Sequence, residues 1–166
     1  MPEWIAMAAM NPARRLSHAR GYLELGMLTE AAAELAKIPA SEDASSDVLT
    51  LRVVVLQEQK DWANLRIAAA ELARRKPGDA TAWIIWAYAV RRAESLEAAE
   101  QVLLEAEHIH PDEPTIQFNL GCYACQLGAL GVARRHVARA IALDAKFAAA
   151  AATDPDLAPL RELQKE

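Results

Sequence analysis

In the stretch ATAWIIWAYAVRR, residues 80–92, Trp83, Trp86, Ala87 and Val90 fall at i, i+3, i+4 and i+7, one face of a helix. A matching stripe follows in Leu96, Ala99, Leu103 and Ala106, behind Ser95, a residue type that caps helix N-termini. Pro111 then ends the pair, because proline cannot donate the helical N–H bond. The pattern predicts two helices joined by a short turn. The segment 114–147 repeats it, with Gly128 as the stop of its first helix.

The same pattern recurs along most of the chain. Pro77 and Pro111 stand 34 residues apart. At that step recur Ala31, Leu65, Ala99 and Ala133; Leu28, Trp62, Leu96 and Leu130; Ile38, Leu72, Ala106 and Ala140; and Ala19, Val53, Ala87 and Gly121. No insertion breaks the register over four units, residues 12–45, 46–79, 80–113 and 114–147. The segment PASEDASSD, residues 39–47, reads as loop.

Small residues at fixed places, with alanine or glycine deep in the first helix of the first, third and fourth units, let two helix backbones approach closely. In this the chain resembles the tetratricopeptide-repeat family over residues 12–147. Gly121, Ala133 and Ala140 carry the likeness in the fourth unit, and Ala87, Ala99, Ala106 and Pro111 in the third. The second unit departs with Val53 and Leu65, although Pro77 fits. The first keeps Ala19, Tyr22, Gly26 and Ala31 but has Asp43 at the proline position, where the fourth has Ala145. The resemblance implies an all-α, right-handed α-solenoid of four helix-turn-helix repeats. Such stacks need covered ends. Residues 148–166 supply a C-terminal capping helix: Asp154 caps it, Pro155 suits its first turn, and Leu157, Leu160 and Leu163 line one face. Residues 1–11 form an N-terminal segment in which Trp4 and Ile5 are candidates for the opposite cover.

Composition narrows the function. The net charge of −5 and pI of about 5.4 argue against a nucleic-acid surface. No apolar run approaches the ~18 residues that would suggest a membrane span. No basic leader precedes the apolar N-terminal residues, so a cytoplasmic location is expected. No nucleophile elbow, P-loop, zincin or dinucleotide fingerprint is present. No cofactor is expected.

Both cysteines lie in LGCYACQLG, as Cys122 and Cys125. A redox C-x-x-C places its attacking thiol at a helix N-terminus, where the dipole favours thiolate. Here the pair falls late in a helix from Pro114 to Leu127. A zinc site needs four ligands, and no second pair exists. The pair is therefore read as helix residues. The metal or redox alternative requires His136 or His110 to reach the thiols.

The resemblance also implies a concave groove lined by the first helices. Carried over by position, it places Leu16, Arg20, Val54, Ile84, Tyr88, Arg91, Phe118 and Cys122 there, with Thr50, Leu23, Gln57 and Cys125 beside them. The mostly apolar lining, with Asn119 alone fitting, speaks against the carboxylate clamp that some relatives use on chaperone tails. The expected function is a non-enzymatic adaptor or scaffold, binding a peptide or partner helix in that groove, with no nucleic-acid or membrane partner. A second reading makes the chain a self-association module, its groove filled by Trp4, Ile5, Met7 and Met10 or by a second copy.

Overall fold

The computed structural model describes residues 11–38 and 45–163. Trp4, Ile5, Met7, Met10 and Asp43, with most of the expected loop at 39–47, lie outside them. The described residues form ten α-helices, one 3₁₀ turn and no strand. They run α1 (Pro12–Glu24), α2 (Leu28–Ala36), α3 (Ser46–Glu58), α4 (Trp62–Arg75), α5 (Ala80–Ala93), α6 (Leu96–Ile109), α7 (Pro114–Gln126), α8 (Leu130–Leu143), α9 (Lys146–Thr153), the 3₁₀ turn Pro155–Leu157, and α10 (Ala158–Glu162). Four first helices begin at Pro12, Ser46, Ala80 and Pro114, and four second helices at Leu28, Trp62, Leu96 and Leu130, so both series keep the 34-residue step. No helix among the described residues is long and apolar enough to cross a membrane.

Local chemistry sets these ends. Asn11, Asp79 and Glu113 each accept a hydrogen bond from the backbone N–H two residues on, at 2.9, 3.0 and 3.1 Å. Ser95 accepts from Ala98 N at 3.1 Å, as its residue type predicts. Gly26, Lys60 and Gly128, equivalent places of the first, second and fourth repeats, adopt positive φ, at 73°, 56° and 81°, whereas Glu94 in the third has φ −128°. After each of the three positive-φ residues the next amide returns to a carbonyl five residues back: Met27 to Tyr22, Asp61 to Leu56, Ala129 to Ala124. These are Schellman-type stops.

The chain divides into two compact units, residues 1–61 and 62–166. In the first, Ala19, Ala31, Leu35, Ile38, Val48, Leu51 and Val55 form the core shared by α1, α2 and α3. Arg52 ties α3 to the end of α2 by donating to the carbonyls of Leu35 and Ile38, at 3.0 and 2.7 Å.

In the second unit, Leu65, Ala69, Ala87, Ala99, Leu103, Ala106, Ile116, Leu120, Ala133 and Ala140 are buried between successive helices. Gly121 marks a close approach of α7 to α8: a Cβ there would lie 2.6 Å from Val137 Cγ2 and 3.2 Å from Val137 N. The C-terminal cover is longer than the capping helix expected from residue 148 onward. It begins with α9, which brings Phe147 into the core, and continues through Leu157 and Leu160, both buried. Asp154 caps its 3₁₀ turn by accepting from Asp156 N at 2.8 Å. Leu163, expected on the same apolar face, is instead 45% exposed, because α10 ends one residue before it.

Candidate interaction site

The first helices α5 and α7 carry the groove positions of the second unit, and the C-terminal cover reaches across both. Phe147 of α9 lies against Phe118, with ring centroids 4.9 Å apart. Asp156 pairs with Arg91 at 2.9 Å, and its carbonyl accepts from Gln126 Nε2 at 2.8 Å. Arg91 also lies over the Tyr123 ring, 5.2 Å from its centroid. Arg161 holds the cover's own bend by donating to the carbonyls of Ala151 and Asp154.

Earlier on α5 the same side is uncovered. Tyr88 is 41% exposed and meets Trp62 edge-on, with centroids 5.5 Å apart. Arg92 lies over the other ring of this group, 5.3 Å from the Trp62 centroid. The result is an aromatic platform with a cation stacked on it, the kind of rigid amphipathic surface that anchors partners.

The cysteines are core side chains. Cys122 and Cys125 are both buried and unpaired by any disulfide. Burial, reinforced by the carboxylates of Asp154 and Asp156, pushes the Cys122 thiol up to about 12. His136 Nδ1 donates to Gln117 Oε1 at 2.8 Å, while Gln117 Nε2 donates to Glu107 at 2.8 Å. His110 Nε2 bonds the Pro77 carbonyl at 2.8 Å. Both histidines are thus committed away from the thiols. Among the described residues no three His, Cys, Asp or Glu side chains gather as metal ligands.

Beyond these groups lies a cleft of about 990 Å³ walled by α4 and α6 and floored by α5. Trp83 and Trp86 form its floor, their rings 5.4 Å apart, and Trp83 Nε1 donates to the Pro77 carbonyl at 3.1 Å. Ile67 and Ile109, 62% and 45% exposed, stand on opposite walls. The Arg66–Glu94 ion pair closes one end, and Glu71, held at about 2 by hydrogen bonds from Arg74 and Arg75, lies towards the other.

No protein-family model and no curated sequence matches this chain. Solved structures do. MamA from Desulfovibrio magneticus RS-1 superposes with a TM-score of 0.69 at 16% identity, covering 93% of this chain and 92% of that one. TTC0263, a thermophilic TPR protein of Thermus thermophilus, gives 0.59 at 18% identity, with 92% and 81% covered. Cut9, in the APC/C hetero-tetramer Cut9–Hcn1, gives 0.62 at 16% identity, with 92% and 30% covered. The fold is the tetratricopeptide-repeat fold.

Within this repeat fold the expected groove residues separate by environment. Arg20 and Val54 are exposed in the first unit, whereas Leu16 packs partly buried against the core of α1, α2 and α3. In the second unit Tyr88 is open and Ile84 half-buried. Phe118 and Cys122 are not open groove residues: Phe118 packs against Phe147, and both are buried at the end of the chain where the cover lies. Arg91 is engaged by Asp156 rather than left for a ligand. The period locates positions that a following repeat leaves bare, and after the last repeat a cap fills them.

The cleft was not among the expected sites. Its signal in the sequence was weak but present. Ile67 lies off the buried stripe Leu65–Ala69–Leu72, on a helix face that otherwise carries polar or small residues.

Proposed function

We propose that the chain is a non-enzymatic protein-interaction module, an adaptor or scaffold that binds a peptide or partner helix on the groove side of α5. The observation that carries this reading is the Trp62–Tyr88–Arg92 platform. A large, half-exposed aromatic is braced edge-on by a second ring, with a guanidinium stacked beside it. Such a surface offers apolar area at low entropic cost, and its cation can fork onto a carboxylate. Cut9, which shares the fold, occurs in a hetero-tetramer with another protein, and this supports the class of function.

The test is affinity capture with the full chain beside a Tyr88→Glu/Arg92→Glu variant, folding being checked by circular dichroism. Phe118 is left unchanged, because it is buried against the cap. A partner held by wild type, lost by the folded variant, and bound again as a purified protein supports the proposal. A partner held equally by both removes the site from this face.

A further inference from the structure

The cleft between α4 and α6 presents apolar surface where the repeat normally presents polar surface. Ile67 is 62% exposed, and at the same step of the other repeats stand Ala33, Gln101 and Arg135, all exposed. This place in the repeat is therefore a solvent position, and only the second repeat fills it with a large aliphatic side chain. Ile109 stands on the opposite wall, and Trp86 lies between them, partly open. Apolar side chains gathered on both lips of an apolar floor mark an association surface rather than a scatter of single residues.

The charges of the two walls indicate the occupant. Helix α4 carries Arg66, Arg74 and Arg75; Arg74 and Arg75 share the single acid Glu71 and Arg66 pairs with Glu94, which leaves this wall with a net positive charge. Helix α6 carries Glu97, Glu100, Glu105 and Glu107 and neither Lys nor Arg, so it is anionic, and of these four Glu105 lines the cleft. Glu105 is exposed. Helices α4 and α6 hold the same place in successive repeats; Arg74 lies in the last turn of α4, and Glu105 stands one turn before the corresponding place in α6. A two-fold axis along the cleft lays α4 of one copy over α6 of the other, running the same way. Each cationic α4 end then meets the other copy's Glu105, and each Ile67 meets the small and branched residues Ala98 and Val102. The match is made twice, as a two-fold contact between identical surfaces requires.

We infer that this cleft is a homodimer interface, in which a second copy of the chain docks α4 against α6, with Ile67 against Ala98 and Val102 of the other copy. Tyr88 does not line the cleft, so this inference and the proposed partner site fail independently.

Sedimentation equilibrium of the full chain, from low micromolar to millimolar concentration, tests it. Wild type is expected to dimerise. Ile67→Glu, at an exposed position that leaves far-UV circular dichroism unchanged, is expected to raise the dimer Kd by about a hundredfold, because each dimer carries the change twice. Glu105→Arg is expected to weaken the dimer about tenfold, and Arg74→Glu added to it to recover most of that loss. A Tyr88→Glu chain is expected to dimerise as wild type does. A wild-type chain that stays monomeric throughout, or a dimer indifferent to Ile67→Glu, overturns the inference and returns the cleft to a different protein.

Discussion

The close packing of α7 on α8 rests on Gly121, and its energetic worth can be isolated by a double-mutant cycle with Val137. An alanine Cβ at 121 would stand 2.6 Å from Val137 Cγ2, 3.2 Å from Val137 N and 3.3 Å from Ala133 O. Carbon atoms in favourable contact sit roughly 3.5–4.0 Å apart, so the methyl pair is short by about 1 Å. Val137 cannot swing aside, since a β-branched side chain in a helix is held near one rotamer. The helices must therefore separate, or the new methyl must stay strained.

Overpacking of this kind costs about 1–3 kcal/mol. Replacing a helical glycine by alanine returns about 1 kcal/mol through backbone entropy. Gly121→Ala is thus expected to destabilise by about 1 kcal/mol net. Val137→Ala alone is expected to cost about 2 kcal/mol for two buried methyl groups. Combined, the clash disappears and the new methyl occupies part of the vacated space. The double variant should therefore be more stable than the sum of the singles predicts, by about 1–2 kcal/mol. Urea unfolding followed by circular dichroism reads this directly. At a slope near 2 kcal/mol per molar, each kcal/mol moves the midpoint by about 0.5 M. If Gly121→Ala is more stable than wild type, or if the cycle is additive within about 0.5 kcal/mol, the glycine is not there for packing.

Lys60 holds φ 56° at the turn where Gly26 and Gly128 stand in other repeats, so Lys60→Gly should stabilise by about 0.5–1 kcal/mol in the same urea assay. The buried Cys122 thiol should react with a maleimide or with Ellman's reagent far more slowly at pH 8 than the same chain in denaturant. Its folded pKa is raised, so the protonated form favours the folded state; stability should fall as pH rises from about 9, its ordinary value, through about 12. Glu71 behaves oppositely. Its folded pKa is depressed to about 2, so its contribution is present above its ordinary value of 4.5 and is lost as pH falls through about 2, and Glu71→Gln should flatten that part of the acid-unfolding curve.

The repeat was legible because close packing imposes a rule on sequence. Helices as close as α7 and α8 need a small residue at the contact, here Gly121, and three of the four first helices stop on a left-handed residue, Gly26, Lys60 and Gly128. Both features fall at the 34-residue step, with Val53 the exception at the small position and Glu94, at φ −128°, the exception at the turn, and the helix starts obey that step from Pro12 to Leu130. The cap was legible only in part. Asp154, Leu157 and Leu160 point to a covering segment, but the period reaches residue 147 and so assigns Phe147 to the fourth repeat. The pairing of Asp156 with Arg91 joins residues 65 apart, and no local pattern specifies it. Burial of Phe118 and Cys122 followed from that same segment.

The interaction surfaces were hardest to read, and the reason is physical. A period reports what every repeat must do to stack, namely bury the same stripe and turn at the same residue. Binding surfaces lie where one repeat departs from its copies without disturbing the stack. Ile67 stands against Ala33, Gln101 and Arg135; Trp86 against His18, Arg52 and Leu120; Tyr88 against Arg20, Val54 and Cys122. Ile67 and Tyr88 are large apolar or aromatic side chains left open to water at places that stacking does not need. Trp86 is partly open. Groove positions carried from repeat to repeat do not anticipate the burial of Phe118 against Phe147. Carrying them over treats the repeats as equivalent, whereas the last repeat is bounded by a cap and the second and third bear the exceptions. In a stacked array, shared positions account for the fold, and the specificity of binding is to be sought in the residues that depart from them.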